Sequence, residues 1–203
     1  MKAILLGSLE VISDTSELWR KAFRQAFLDH SLHFAPRGGR PRALRRLMPP
    51  AYDCRVSVDD ILRSRNAHYE AALARGPLRM RPGLVDTLDA VAGRSIALGL
   101  VATTPFEWSV SFFEGTGLAA ERFDAIITEN NVTSDKPAPD CYHLAAAMLA
   151  VAPEDCLAVE TSASGVAAAR SAGMQVLDLG GGQEPLSGLR AALPRSPVPA
   201  LPG

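Results

Sequence analysis

A doubly wound α/β domain, with a block of helices set in after its first strand, is the architecture this sequence implies. Three observations carry that reading. From residue 81 onward, short runs rich in Ile, Leu, Val and Ala alternate with segments of helical periodicity, the pattern of parallel strands covered on both faces. A first apolar run at 2–6 is separated from the others by residues 16–79, which read as helices and their connections. The loops that follow the strands carry polar residues, and in a parallel sheet such loops share the carboxyl edge, where ligands bind. The expected core is therefore Rossmann-like, built from 1–15 and 80–193, with 16–79 as a helical cap.

The elements follow in order. Lys2-Ala3-Ile4-Leu5-Leu6 reads as a short buried strand. Asp14, Thr15 or Ser16 can cap the next helix, and Glu17 places a favourable charge in its first turn. Leu18, Trp19, Ala22, Phe23, Ala26 and Phe27 recur on one face of that helix. Residues 35–54 are rich in Pro, Gly and Arg, with room for a helical turn at 43–48. A second helix is expected over 58–75, apolar through Ile61, Leu62, Tyr69, Ala72 and Leu73 and ended by Gly76. Pro82-Gly83 opens a helix through Leu84, Leu88 and Val91. Strands are expected at 95–101, 125–128, 156–160 and 175–179, with helices at 106–115, 140–150 and 164–172 between them. Gly173 closes the last of these helices. The stretch 194–203 holds four prolines and is expected to be a disordered tail.

Composition narrows the function classes. With 47% hydrophobic residues and a net charge of −1 over 203 residues, the chain has enough apolar surface for a packed core. The near-neutral balance disfavours bulk nucleic-acid binding. Cys54, Cys141 and Cys156 are widely spaced, which fits reduced thiols in a cytoplasm better than a disulfide frame or a zinc site. No apolar run approaches the roughly 18 residues of a membrane span, so a soluble cytoplasmic protein is expected.

Four local motifs arrive in a fixed order. The first strand ends in Gly7-Ser8-Leu9-Glu10, and the second central strand in Ala102-Thr103-Thr104. A loop carries Asp135-Lys136-Pro137-Ala138-Pro139-Asp140, and the fourth strand runs into Glu160-Thr161-Ser162-Ala163-Ser164-Gly165. Together with Ala167-Ala168-Ala169-Arg170-Ser171-Ala172-Gly173-Met174, this order resembles the haloacid dehalogenase (HAD) superfamily. Within it, the likeness is to the CbbY and β-phosphoglucomutase-like branch of sugar-phosphate enzymes with an inserted helical cap.

The resemblance implies a set of roles. In that family the first loop carries Asp-x-Asp-Gly, whose first aspartate attacks phosphorus and whose second is the general acid and base. A Thr or Ser and a Lys hold the phosphate, and acids after the fourth strand hold Mg2+. Such a carboxylate nucleophile divides hydrolysis into two easier steps, and Mg2+ offsets the repulsion between anions. Carried over, Thr103 with Thr104 and Lys136 match the phosphate contacts, and Glu160 matches the first metal acid. Gly7 stands at the nucleophile position, Leu9 at the acid/base position and Glu10 at the following glycine. Thr161 replaces the second metal acid, and Asn130 and Asn131 lie in a loop that often carries another.

Plainer readings stand beside these. Thr103 and Thr104 could cap the next helix, and Lys136 could be an exposed loop lysine. Glu160 needs a partner if buried, and Lys136 is the natural one, so a structural ion pair competes with a metal remnant. Gly165 is expected at a tight turn, and Trp19, Phe23 and Phe27 in the core. Arg37, Arg40, Arg42, Arg45 and Arg46 form a solvated basic face, a phosphosugar-selecting loop or a site for an acidic partner. The implied function is a catalytically impaired relative of a Mg2+-dependent sugar-phosphate phosphatase that keeps a site for a small phosphorylated metabolite. The alternatives are an active phosphohydrolase with an unusual site, and a regulatory module that binds a protein partner through the arginines.

Overall fold

The computed structural model describes residues 1–32, 56–180 and 186–194. The five strands among these residues are β1 (Ala3–Leu6), β2 (Ala97–Val101), β3 (Ala125–Ile127), β4 (Cys156–Glu160) and β5 (Gln175–Asp178). They form one parallel sheet in the order β3-β2-β1-β4-β5. Among the described residues the α-helices, in chain order, are α1 (Leu9–Ile12), α2 (Ser16–Asp29), α3 (Val58–Ala74), α4 (Leu84–Ala92), α5 (Phe106–Thr116), α6 (Asp140–Met148), α7 (Ala163–Ser171) and α8 (Ser187–Ala192). The α/β fold expected from the sequence is the fold observed.

Strand alternation divides the core into two layers. Ile4 and Leu6 face one layer with Leu84, Leu88, Phe112 and Leu189. Ala3 and Leu5 face the other with Tyr142, Ala145, Ala168 and Ala169. The central strand β1 is fully buried, so the residue that follows it emerges from the middle of the sheet edge.

Two helices go beyond the sequence reading. The four-residue α1 is too short to show periodicity. The other, α8, is held by Leu186, Leu189 and Leu193, all buried in the first layer. Thr15 precedes α2 as its N-cap residue but makes no side-chain cap. The Thr15 hydroxyl goes to Tyr69 Oη at 2.8 Å instead, and Asp14 accepts from the Ser16 amide at 2.9 Å. Helix α3 opens with a capping box, Ser57 Oγ accepting from the Asp60 amide at 3.1 Å while Asp60 accepts from the Ser57 amide at 2.8 Å. Helices α2 and α3 pack on each other through Phe23, Ala26, Phe27 and Ile61. Phe23 and Phe27 are buried as expected, while Trp19 is partly exposed. Cys141 and Cys156 are free and buried. The expected turn at 43–48, Cys54, the arginines at 37–46 and the tail beyond Pro194 lie outside the described residues.

Candidate functional site

The site forms where β1, β2 and β4 end side by side. Gly7 follows β1 and its amide donates to Val159 O at 2.8 Å, so its backbone is fixed by the sheet. Lys136 reaches in from the loop before α6. Its Nζ donates to Val101 O at 3.0 Å, to Glu160 Oε1 at 2.7 Å and to the Gly7 carbonyl. An ammonium has three protons to donate, and here each has a fixed acceptor. The Lys136 side chain is only 9% exposed, so the exposed-loop reading of this lysine is corrected.

Glu160 is wholly buried and completely engaged. Its Oε1 accepts from Lys136 and from Tyr142 Oη, each at 2.7 Å. Its Oε2 accepts from the Thr161 amide at 3.0 Å, and from the Ser162 amide and hydroxyl at 3.3 Å each. The last three donors precede α7 and align with its positive end. The Tyr142 phenol is held far above its ordinary ionisation range, first by burial and then by the Glu160 charge. It therefore acts as a neutral donor. The ion pair of Glu160 with Lys136 is the structural partnership weighed from the sequence.

Two glycines make room for this carboxylate. A Cβ on Gly7 would fall well under 3.0 Å from Glu160 Oε1, Glu160 Cδ and Tyr142 Oη. A Cβ on Gly165 would meet both carboxylate oxygens just as closely. Gly165 is thus not a turn glycine. It lies inside α7, bare because Glu160 rests against it. Gly173, at φ +81°, does end α7.

The remaining motif residues are accounted for. Leu9 is 4% exposed and packs in the first core layer, so the side chain at the acid/base position points into the core. Ser8 Oγ lies 3.2 Å from Thr161 Oγ1, a hydroxyl where a base would be needed. Glu10 sits in α1 with its carboxyl pushed up by burial and then by Asp14. Asn131 Oδ1 accepts from the Thr128 amide at 2.8 Å and hydroxyl at 3.0 Å, which makes it a local cap. Thr103 and Thr104 follow β2 at the same sheet edge as Gly7, Lys136 and Glu160. The N-cap position of α5, the helix after them, is Pro105, and no side chain caps it, so the capping reading of both threonines is corrected. The Thr104 hydroxyl is buried with no partner among the described residues. Tyr142 was legible only indirectly: a buried tyrosine hydroxyl needs a partner, and Tyr142 falls in the first turn of the helix that follows the Lys136 loop.

Comparison with known proteins decides the family. Residues 3–173 match the haloacid dehalogenase-like hydrolase model. The chain belongs to the haloacid dehalogenase-like hydrolase family. Among HAD relatives, CbbY of Cereibacter sphaeroides is 29% identical over 191 residues, spanning 87% of this chain and 83% of that protein. A β-phosphoglucomutase of Bacillus subtilis is 26% identical, spanning 90% and 85%. A crystal structure of a CbbY mutant from Rhodobacter sphaeroides in complex with xylulose-(1,5)bisphosphate matches at TM-score 0.72 and 28% identity, covering 87% and 84%. These likenesses support the CbbY and β-phosphoglucomutase-like branch inferred from the motifs.

HAD enzymes generally use Mg2+, and the donor set here does not fit it. Mg2+ needs near-octahedral oxygen ligation with carboxylates. The side chains at positions 7 and 9 offer no ligand atom, Thr161 and Ser8 offer neutral hydroxyls, and both oxygens of Glu160 are engaged. Among the described residues no three His, Cys, Asp or Glu side chains cluster as a metal site would require. None of the described helices is long and apolar enough to cross a membrane.

Proposed function

We propose that this HAD-like protein descends from a Mg2+-dependent sugar-phosphate phosphatase and no longer forms the aspartyl-phosphate intermediate: a pseudoenzyme of the cytoplasm that keeps a weak site for a small phosphorylated metabolite. One observation carries the reading. Residue 7 has no side chain, and the volume its Cβ would fill is taken by Glu160 and Tyr142. A phosphoryl group has no carboxylate to bond to there, and no acid faces the leaving group from position 9. Removing a nucleophile together with its acid/base leaves only what binding and electrostatics supply.

Thr103, Thr104 and Lys136 would hold the phosphate. The unpartnered Thr104 hydroxyl is a donor in want of an acceptor. Lys136 must give up a carbonyl or the Glu160 oxygen to contact an anion, so the expected affinity is low. Residues 16–79 form the cap in this reading, with α2 and α3 as its helices and 1–15 with 80–193 as the body. Relatives crystallised with xylulose-(1,5)bisphosphate and with phosphate suggest the ligands to try. The test is phosphate release with Mg2+ from a panel of sugar phosphates, beside binding titrations with inorganic phosphate and xylulose-(1,5)bisphosphate. No turnover with weak, Lys136-dependent binding is expected. Turnover by the natural protein that disappears in Lys136→Ala would replace the proposal with an active phosphohydrolase.

A further inference from the structure

We propose that Arg65 acts as a clamp that holds the helical pair α2–α3 closed on the α/β body without any ligand. The side chain is 7% exposed and has no carboxylate within ion-pair distance among the described residues. Its Nε has no acceptor there either. What surrounds it is aromatic. The guanidinium carbon lies 4.0 Å from the Trp19 ring centroid, 5.0 Å from Phe23 and 6.0 Å from Trp108. Trp19 and Phe23 belong to α2, Arg65 to α3, and Trp108 to α5 of the body. One cation therefore joins three elements across the junction.

The rings support one another as well. Tyr69 lies 5.0 Å from Trp19 and 4.8 Å from Trp108, and Trp19 lies 6.0 Å from Trp108. Arg65 sits one turn after Ile61 and one turn before Tyr69, in the middle of the buried stripe of α3. A guanidinium suits this position because it is weakly hydrated and stacks on ring faces, tryptophan best of all. Burial draws it down to about 10, so it stays charged at neutral pH. The two chain crossings between helical pair and body are also bonded to each other. Arg81 N donates to Ile12 O and Ser13 Oγ to Arg79 O, both at 2.8 Å, while Thr15 and Tyr69 share the hydroxyl contact already described.

The inference rests on reading α2–α3 as a cap and is independent of phosphate binding. Its test is hydrogen exchange on the full chain, compared among the natural protein, Arg65→Met and Arg65→Lys. Met keeps the stem and removes the charge. Loss of the stacked cation should raise exchange of the α2 and α3 amides about 5- to 30-fold and leave β1 and β4 unchanged. Lys should fall between the two, which keeps the test open if Arg65→Met does not fold. The chain's two tryptophans both lie in the box, so their emission should shift to the red in step. Unchanged or slower α2–α3 exchange in both variants would overturn the clamp. Faster exchange spread equally over β1 and β4 would overturn it too, making Arg65 a prop of the whole fold. If α2 and α3 exchange in one unit with the strands in the natural protein, the cap reading fails along with the clamp, whatever the phosphate results show.

Discussion

Gly7→Ala adds one methyl group and should be among the most damaging changes in this chain. The new Cβ would lie well under 3.0 Å from Glu160 Oε1, Glu160 Cδ and Tyr142 Oη. None of these is the free end of a flexible side chain, since Glu160 and Tyr142 are both 0% exposed. If the carboxylate retreats, it loses Tyr142 or Lys136. A buried hydrogen bond to a charged group is worth about 1.5–3 kcal/mol, and breaking a buried ion pair costs about 3–5 kcal/mol. The expected loss is therefore about 2–5 kcal/mol, a large part of the 5–15 kcal/mol of a typical domain. Urea unfolding of both proteins measures it. Gly93→Ala is the control. Its φ is −68° and a Cβ there would meet the Asp89 carbonyl oxygen at an ordinary 3.5 Å, so it should change stability by no more than about 1 kcal/mol. Tyr142→Phe should partly relieve Gly7→Ala, because the phenol oxygen is one of the obstructing atoms. A Gly7→Ala protein within about 0.5 kcal/mol of the natural one would refute the reasoning.

Other consequences can be checked in the same apparatus. Lys136→Ala should cost about 3–5 kcal/mol, because it strands Glu160 as an unpaired buried charge; adding Glu160→Gln should restore part of that loss in a double-mutant cycle. Millimolar Mg2+ should leave the urea midpoint where it is, whereas an ion bound at 100 times its Kd would add about 2.7 kcal/mol. Burial pushes the Tyr69 phenol up to about 12, above its unfolded value of about 10. The folded state therefore keeps that proton longer. Stability should be intact below pH about 10 and decline as pH rises through about 12, followed by phenolate absorbance and reduced in Tyr69→Phe. Tyr142 shifts in the same direction, so part of the alkaline decline should persist in that variant.

Much of this was legible from the residues. Apolar runs placed all five strands, and the loop motifs placed Lys136 and Glu160 at one sheet edge, because parallel topology gathers those loops. Local chemistry was harder to read. Thr103 and Thr104 resemble helix caps in sequence, but Pro105 takes that place. Gly165 resembles a turn glycine, yet what requires it is the side chain of Glu160, five residues earlier in the chain. Arg65 could have been singled out as a cation in the stripe between Ile61 and Tyr69, whereas the ring from Trp108 could not, since it comes from another element. Helix α1 gave no signal because four residues carry no period. Rebuilding the family motif meets the same limit: Leu9→Asp would put a carboxylate where α1 turns its side chain into the core.

The decisive measurement is phosphate release with Mg2+ from a panel of sugar phosphates. The natural protein should be compared with one carrying Gly7→Asp, Leu9→Asp, Glu10→Gly and Thr161→Asp, each checked for folding. The natural protein should release no phosphate above background, and any turnover should arise only in the rebuilt one. Release by the natural protein that is lost in Lys136→Ala would contradict the proposal that its phosphoryl-transfer chemistry is gone.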